Sequence, residues 1–446
     1  MRTFLVHNFG CRATQADGAA LEGLLRRQGL DSVDANQHAD LVILNTCTVT
    51  ATADDEVRQV SRRVHRENPD ARILITGCYA QRAPEELAAL PGVSWVVGNS
   101  DKIRIPELVA IADASPAGSY HGEIHVNDIF AEQQFLSAPV EDAPGDRTRP
   151  NLKVQDGCSN RCSFCIIPSV RGRSRSMPAS RVVEQLRPLA ERYAEVVLSG
   201  INLGRWGRDL EGRLRIADLV RLLLEETPVQ RLRLSSIEPM DFSDDLLGLM
   251  AASPRIANHV HAPLQSGCDT VLRRMRRKYR PRHYEDRIRK ARQWMPDAAI
   301  GADVMVGFPG ETDEEFEQSR AFIESLPFTY LHVFTYSERP GTEAVLSGGP
   351  AVPMPVRKQR NRVLRDLAAQ KNLAFRQSLI GRTLSAVTLA GTDIALTENY
   401  LKIRLATPRP ANRIVPVTVG GVMQEQAGLF EAVPFPILAS PAAVYY

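Results

Sequence analysis

The sequence predicts an α/β protein in three parts: an amino-terminal parallel-sheet α/β domain over 1–112, a central partial barrel of six parallel strand–helix units over 151–380, and a small antiparallel β-barrel over 381–446, with a linker at 113–150. Three observations predict it. Apolar runs alternate with amphipathic stretches through the first hundred residues and again from residue 151, as when strands are joined to parallel partners through helices. The last stretch changes to β-rich runs broken by turn residues, which suits a small barrel. At 446 residues the chain is also too long for one compact core.

In the first part, the apolar run from Thr3 to Val6 ends at Gly10-Cys11. A helix is expected over 15–28, with Leu21, Leu24 and Leu25 on one side and Gly29 as its stop. The run 40–45 reads as a buried parallel strand leading into Thr46-Cys47, and a polar helix over 54–67 closes before Pro69. The run 72–76 is the next strand, ending at Gly77-Cys78. Cys11, Cys47 and Cys78 therefore each fall just past the carboxyl end of a different strand. In an open parallel sheet those ends share one rim, where ligands collect. Three cysteines remote in sequence are thus expected to converge, although a free cysteine alone is often a small core residue.

Residues 113–150 lack a steady period and carry scattered Pro, Gly, Ser and Asp, including Ala143-Pro144-Gly145-Asp146, as a linker does. The second series has candidate strands at 151–156, 195–200, 231–235, 259–263, 300–306 and 330–335, and their carboxyl ends should carry the chemistry. A long amphipathic helix is expected over 355–379, before Gly381. The closing runs 384–389, 400–405 and 415–419 make the small barrel.

Composition excludes several classes. Hydrophobic residues at 43% and charged residues at 24% suit a globular protein. No run of about 18 apolar residues occurs, so no membrane span or membrane partner is expected. The start of the chain turns polar at His7 and Asn8, unlike a signal peptide, and the cytoplasm is the expected location. Seven cysteines, an odd number in a long chain, favour metal or redox chemistry over a disulfide scaffold. Net charge is only +3, yet Arg171, Arg173 and Arg175 form one basic cluster, and Arg273, Arg274, Arg276, Arg277 and Lys278 another. Such clusters neutralise phosphates or simply make solvated helix faces.

The strongest signal is Gly157-Cys158-Ser159-Asn160-Arg161-Cys162-Ser163-Phe164-Cys165. One short loop presents three thiolates to a cuboidal 4Fe–4S cluster and leaves the fourth iron without a protein ligand. Structural zinc requires a fourth ligand, and no Cys or His follows at finger spacing. This loop resembles the signature of the radical S-adenosylmethionine (SAM) superfamily, with Phe164 as the aromatic residue before the last cysteine. Paired with the first three cysteines, it is similar to the radical SAM methylthiotransferases across nearly the whole chain. Asn8-Phe9-Gly10-Cys11, Asn45-Thr46-Cys47-Thr48-Val49-Thr50 and Gly77-Cys78-Tyr79-Ala80-Gln81 match that family's three amino-terminal motifs. Leu264-Gln265-Ser266-Gly267-Cys268-Asp269 and the stretch from Phe334 to Thr342 resemble its MtaB-type branch.

The resemblance implies two 4Fe–4S clusters, on Cys158, Cys162 and Cys165 and on Cys11, Cys47 and Cys78, with SAM as cosubstrate. It implies that one SAM methylates sulfur at the auxiliary site while another yields a 5′-deoxyadenosyl radical. The substrate implied is the tRNA anticodon stem-loop carrying threonylcarbamoyladenosine, methylthiolated at C2 at the position just 3′ of the anticodon. An electron donor and a sulfur donor are implied partners, and the closing segment resembles the TRAM RNA-binding domain. By the same resemblance Ser199, Gly200, Asn202, Ser235, Glu238, Gln265 and Asp303 are candidates for holding SAM. Both basic clusters become candidates for tRNA contact. Alternatives are isopentenyladenosine in tRNA, a ribosomal-protein aspartate, and a non-catalytic zinc-containing RNA-binding protein. Gly307-Phe308-Pro309-Gly310-Glu311 is either a substrate-facing loop or a helix entry capped by Thr312. Cys268 reads as structural, and His7, His259 and His261 as polar core groups.

Overall fold

A computed structural model describes residues 1–34, 36–113, 122–132, 148–346, 349–423 and 428–432. The strands, in chain order, are β1 (Thr3–Asn8), β2 (Asp31–Ser32), β3 (Leu41–Thr46), β4 (Arg72–Gly77), β5 (Val93–Val97) and β6 (Glu123–His125) in the first sheet. All its ladders are parallel and the order is β2-β1-β3-β4-β5-β6. Period-two alternation makes this sheet a two-faced core. Leu41 and Ile43 pack with Leu21, Leu25 and Trp95 on one face. Val42 and Leu44 pack with Val57, Ile73 and Ile75 on the other. The flanking helices Arg12–Arg27 and Ala51–Glu67 begin three residues earlier than the periodicity predicts. Thr50 caps the second, its side chain accepting from the Ala53 amide at 3.2 Å. β6 falls inside the stretch expected to be linker; residues 114–121 and 133–147 of that stretch, with Ala143 to Asp146, lie outside the described residues.

The second series forms β7 (Asn151–Asp156), β8 (Arg175–Ser176), β9 (Glu195–Gly200), β10 (Arg231–Leu234), β11 (His259–His261), β12 (Ala299–Val306) and β13 (Tyr330–Thr335). β7, β9 and β10 are parallel, with β8 antiparallel at the edge, and β11, β12 and β13 form a second parallel trio. The two trios adjoin where Leu232 bridges Ile256. Each strand alternates. Leu152, Val154, Val196, Leu198, Leu232, Val260, Ile300 and Ala302 pack into one large core beneath the helices. Lys153, Gln155, Glu195, Ser199, Arg231, Arg233, His259, His261 and Asp303 occupy the alternate positions, so the inner face of the partial barrel is polar. The long helix is Met354–Gln377, packed chiefly along β13.

The last part closes as β14 (Thr383–Thr388), β15 (Ile394–Thr397), β16 (Lys402–Arg404), β17 (Ile414–Val422) and β18 (Leu429–Glu431), in the order β14-β15-β16-β18-β17. Here the expected all-antiparallel barrel is corrected: β16 and β18 are parallel, Ile403 opposite Leu429, and the barrel is mixed. No helix among the described residues is long and apolar enough to cross a membrane.

Candidate iron–sulfur and cosubstrate site

β1, β3 and β4 are neighbours in the sheet, so their carboxyl ends deliver Cys11, Cys47 and Cys78 to one rim. The strand order reverses between β1 and β3, the point where open α/β sheets bind ligands. Cys11 occupies the N-cap of the helix Arg12–Arg27, and Cys78 opens the helix Cys78–Arg82. Gly10, at φ +87°, leaves room: a Cβ there would lie 2.8 Å from the Cys47 sulfur. Burial pushes the Cys47 thiol up to about 12, with the nearby Cys78 and Cys11 thiolates adding to the shift.

The loop after β7 builds the second trio. Asn202 reaches the Cys158 sulfur at 3.6 Å, and Arg277 donates to the Cys162 sulfur at 3.3 Å while paired with Glu238. Burial pushes Cys165 up to about 12, with Cys162 contributing next. Neither trio closes to the ligand shell of a single ion: among the described residues, only His261, Asp303 and His332 bring three ligand atoms within 4.8 Å of one another. The spacing fits a larger cluster better than closed tetrahedral zinc.

The trios lie side by side. Cys78 packs against Ile166 and Val170, in the segment directly after Cys165. Arg171, 1% exposed, donates from Nε to the Cys78 sulfur at 3.2 Å. Its other nitrogens reach Asp156, two residues before Cys158, at 3.0 Å, and Asp17 at 3.0 Å. Lys102 and Lys153 complete this buried cluster around Asp17. The stretch from Phe334 to Thr342 also meets the helix that follows the Cys47 motif: Arg339 pairs with Asp54 at 2.6 Å, and Ser337 accepts from the Ala51 amide at 3.1 Å.

Comparison with known proteins agrees with this pairing. Residues 3–98 match the model described as Uncharacterized protein family UPF0004, and residues 152–323 match that of the Radical SAM superfamily. The chain is 41% identical over 349 residues, covering 77% of this chain and 75% of the relative, to the threonylcarbamoyladenosine tRNA methylthiotransferase MtaB of Bacillus subtilis (strain 168). It is 35% identical over 411 residues, 92% of this chain and 98% of the relative, to the protein of that name from Aquifex aeolicus (strain VF5). The chain belongs to the radical SAM methylthiotransferase family. Among solved structures it resembles in fold the radical SAM methyltransferase TsrM from Kitasatospora setae, with a TM-score of 0.56, 17% identity and 77% of each chain covered.

Membership of the radical SAM superfamily implies SAM and a 4Fe–4S cluster. The strand ends of this methylthiotransferase carry polar groups that fit a polar cosubstrate. Ser199 Oγ, Ser235 Oγ and Asn202 Oδ1 are buried without a hydrogen-bond partner in the protein. Such atoms are costly unless a ligand or water satisfies them. Gly200 ends β9, and Gln265 takes the left-handed φ of +66°, an uncommon conformation for a non-glycine residue. Glu238 instead holds Arg277, and Asp303 lies with His261 and His332 on the inner face.

The basic clusters divide. Arg171 and Arg277 leave the phosphate-contact candidates, because both are buried and spent on carboxylates and cysteine sulfur. Arg175 bonds the backbone carbonyls of Glu132 and Arg171. Arg273, Arg274 and Arg276 are exposed but paired with Asp269, Glu315 and Glu343. Arg173 and Lys278 are exposed. The 307–311 loop is a helix entry: Glu311 accepts from the Gly307 amide and from Arg360, both at 2.7 Å, and Thr312 caps the next helix. Cys268 is buried beside Thr270 and Gln318, outside both trios. Asp17 and Lys153 escaped the sequence reading, although the alternation in Asn-Leu-Lys-Val-Gln-Asp of β7 marks a polar inner face.

Proposed function

We propose that this enzyme adds a methylthio group to C2 of threonylcarbamoyladenosine in the tRNA anticodon loop, just 3′ of the anticodon, working in the cytoplasm with two 4Fe–4S clusters. The observation that carries the reading is the adjacency of the two cysteine trios across Arg171 and Ile166. Substrate adenine held beside both trios would meet both halves of the reaction. Cys158, Cys162 and Cys165 would hold the cluster that binds and cleaves SAM; Cys11, Cys47 and Cys78 would hold the auxiliary one. The bound clusters and SAM supply the radical and the sulfur transfer.

The chain's own residues set the stage. Ser199, Asn202 and Ser235 orient SAM at the ends of β9 and β10. Arg277, pinned by Glu238 and the Tyr279 hydroxyl at 3.1 Å, places a fixed positive charge beside Cys162. Arg171 does the same beside Cys78. Such preoriented charge needs no rearrangement during reaction. The choice of nucleoside is supported by four relatives of 34–41% identity that carry the threonylcarbamoyladenosine name, against a fifth, 35% identical, named a tRNA-2-methylthio-N(6)-dimethylallyladenosine synthase. Mass spectrometry of tRNA nucleosides from cells lacking the protein tests it. The methylthiolated threonylcarbamoyladenosine should vanish and the unmethylthiolated form accumulate, and its persistence in a strain without a paralogue refutes the substrate.

A further inference from the structure

Three ligand-type side chains converge on the inner face of the second parallel trio, apart from the cysteines. Registers pairing His261 with Gly301, and Asp303 with His332, bring β11, β12 and β13 together there. His261 Nε2 lies 3.4 Å and His332 Nδ1 3.2 Å from Asp303 Oδ1. These are the only three ligand groups among the described residues gathered within 4.8 Å of one another.

Two features distinguish this group from ordinary packing. His261 is 6% exposed, yet its Nε2 has no hydrogen-bond partner; the contact with Asp303 lacks hydrogen-bond geometry. Its other nitrogen, Nδ1, lies 2.7 Å from Ser236 Oγ. With the ring proton on that bond, the Nε2 lone pair faces Asp303, the arrangement by which an outer partner orients a metal-bound histidine. His332, by contrast, is half-exposed, so the group is open on one side.

We propose that His261 Nε2, the Asp303 carboxylate and His332 Nδ1 bind one divalent transition-metal cation, leaving open positions for an oxygen ligand from solvent or substrate. Two imidazoles and a carboxylate with vacant positions suit first-row ions from Mn²⁺ to Zn²⁺. Nitrogen and oxygen donors set this site apart from the thiolate trios, and it stands whichever nucleoside the enzyme modifies.

The test is a Mn²⁺ titration of the anaerobically cluster-loaded protein, followed by electron paramagnetic resonance. Oxidised 4Fe–4S clusters are diamagnetic, so the signal of free Mn²⁺ reads uptake directly. Wild type should suppress that signal up to about one equivalent per chain. Asp303→Asn and His332→Ala should lose this stoichiometric phase, and His38→Ala, at an exposed histidine of the first sheet's domain, should keep it. Ser236→Ala should weaken uptake roughly 10- to 100-fold, through the histidine it orients. Iron content reports folding, and the half-exposed His332 carries the test if the Asp303 variant fails to load. Uptake by wild type no greater than by His332→Ala overturns the site and makes the triad a hydrogen-bonded packing group.

Discussion

Replacing Glu195 by glutamine asks how much of the polar inner face is held by charge. Glu195 is fully buried on β9. Arg233 reaches its carboxylate at 2.7 and 3.0 Å, Arg149 at 3.1 Å and Arg231 at 3.8 Å. Burial works to raise its pKa, but Arg233, reinforced by Arg149 and Arg231, brings it from the ordinary 4.5 down to about 2. At about 1.4 kcal/mol per unit, the ionised side chain contributes roughly 3 kcal/mol at neutral pH. The sign follows from the depressed value. The unfolded chain takes up this proton near pH 4.5 and the folded chain only near 2, so the contribution is whole above the first value and lost as pH falls to the second. Glutamine keeps the size, removes the charge and strands buried arginines, which costs roughly 3–5 kcal/mol. Arg233 also donates to the carbonyls of Thr397 and Glu398, both at 3.1 Å, so the loss reaches the seat of the carboxyl-terminal barrel. Urea unfolding of cluster-loaded wild type and Glu195→Gln, across pH 7 to about 3, reads both effects. The variant should be weaker by about 3 kcal/mol or more at neutral pH and shallower in its acid slope. Equal midpoints at pH 7, or parallel pH dependences, refute the charge argument.

Two further outcomes follow from the cysteines and the surface. Replacing Cys11, Cys47 and Cys78 together by alanine should remove about half of roughly eight irons per reconstituted chain, while replacing Cys158, Cys162 and Cys165 removes the other half; full iron after either change sinks the two-cluster reading. Arg173→Ala and Lys278→Ala, at exposed positions, should each flatten the salt dependence of tRNA binding by about 0.7–0.9 for every phosphate the side chain had neutralised. Filter binding across ionic strengths measures this, and an unchanged slope removes that residue from the RNA surface.

Much of the fold was legible because it rests on local pattern. The six strands of the barrel and the three amino-terminal strand ends follow from apolar runs flanked by helical periods, and the strand-end rule alone assembled Cys11, Cys47 and Cys78. What the sequence hid is non-local. Arg171 and Arg277 sit in basic runs that read as surface. The counter-charge that buries Arg171 comes partly from Asp17, 154 positions away, and that of Arg277 from Glu238. β6 is edge-paired with Trp95 and Val97, while its own Glu123 and Ile124 stay exposed, so no apolar alternation announces it. The parallel β16–β18 pair depends on how the chain crosses the small barrel, which a local run does not encode. The polar inner face was readable in Arg-Leu-Arg-Leu of β10 and His-Val-His of β11. A strand that alternates charge with leucine while buried on both sides must place its charges against one another.

That polar face explains why the two cysteine trios keep a fixed relation. An apolar interface between the first sheet's helix and β7 would tolerate sliding, since hydrophobic contact is non-directional. Here the helix Arg12–Arg27 carries Asp17 into the inner face, where Lys153, Lys102 and Arg171 converge on it. Asp156 accepts from Lys153 and Arg171 in turn. Two carboxylates against three cations leave one positive charge in excess, and Arg171 directs it at the Cys78 sulfur. A buried ion-pair network gains little over apolar groups of the same shape, but its directional geometry favours one register over the others. One network thus docks the amino-terminal domain, positions the loop that begins at Gly157, and sets the electrostatics of the first trio.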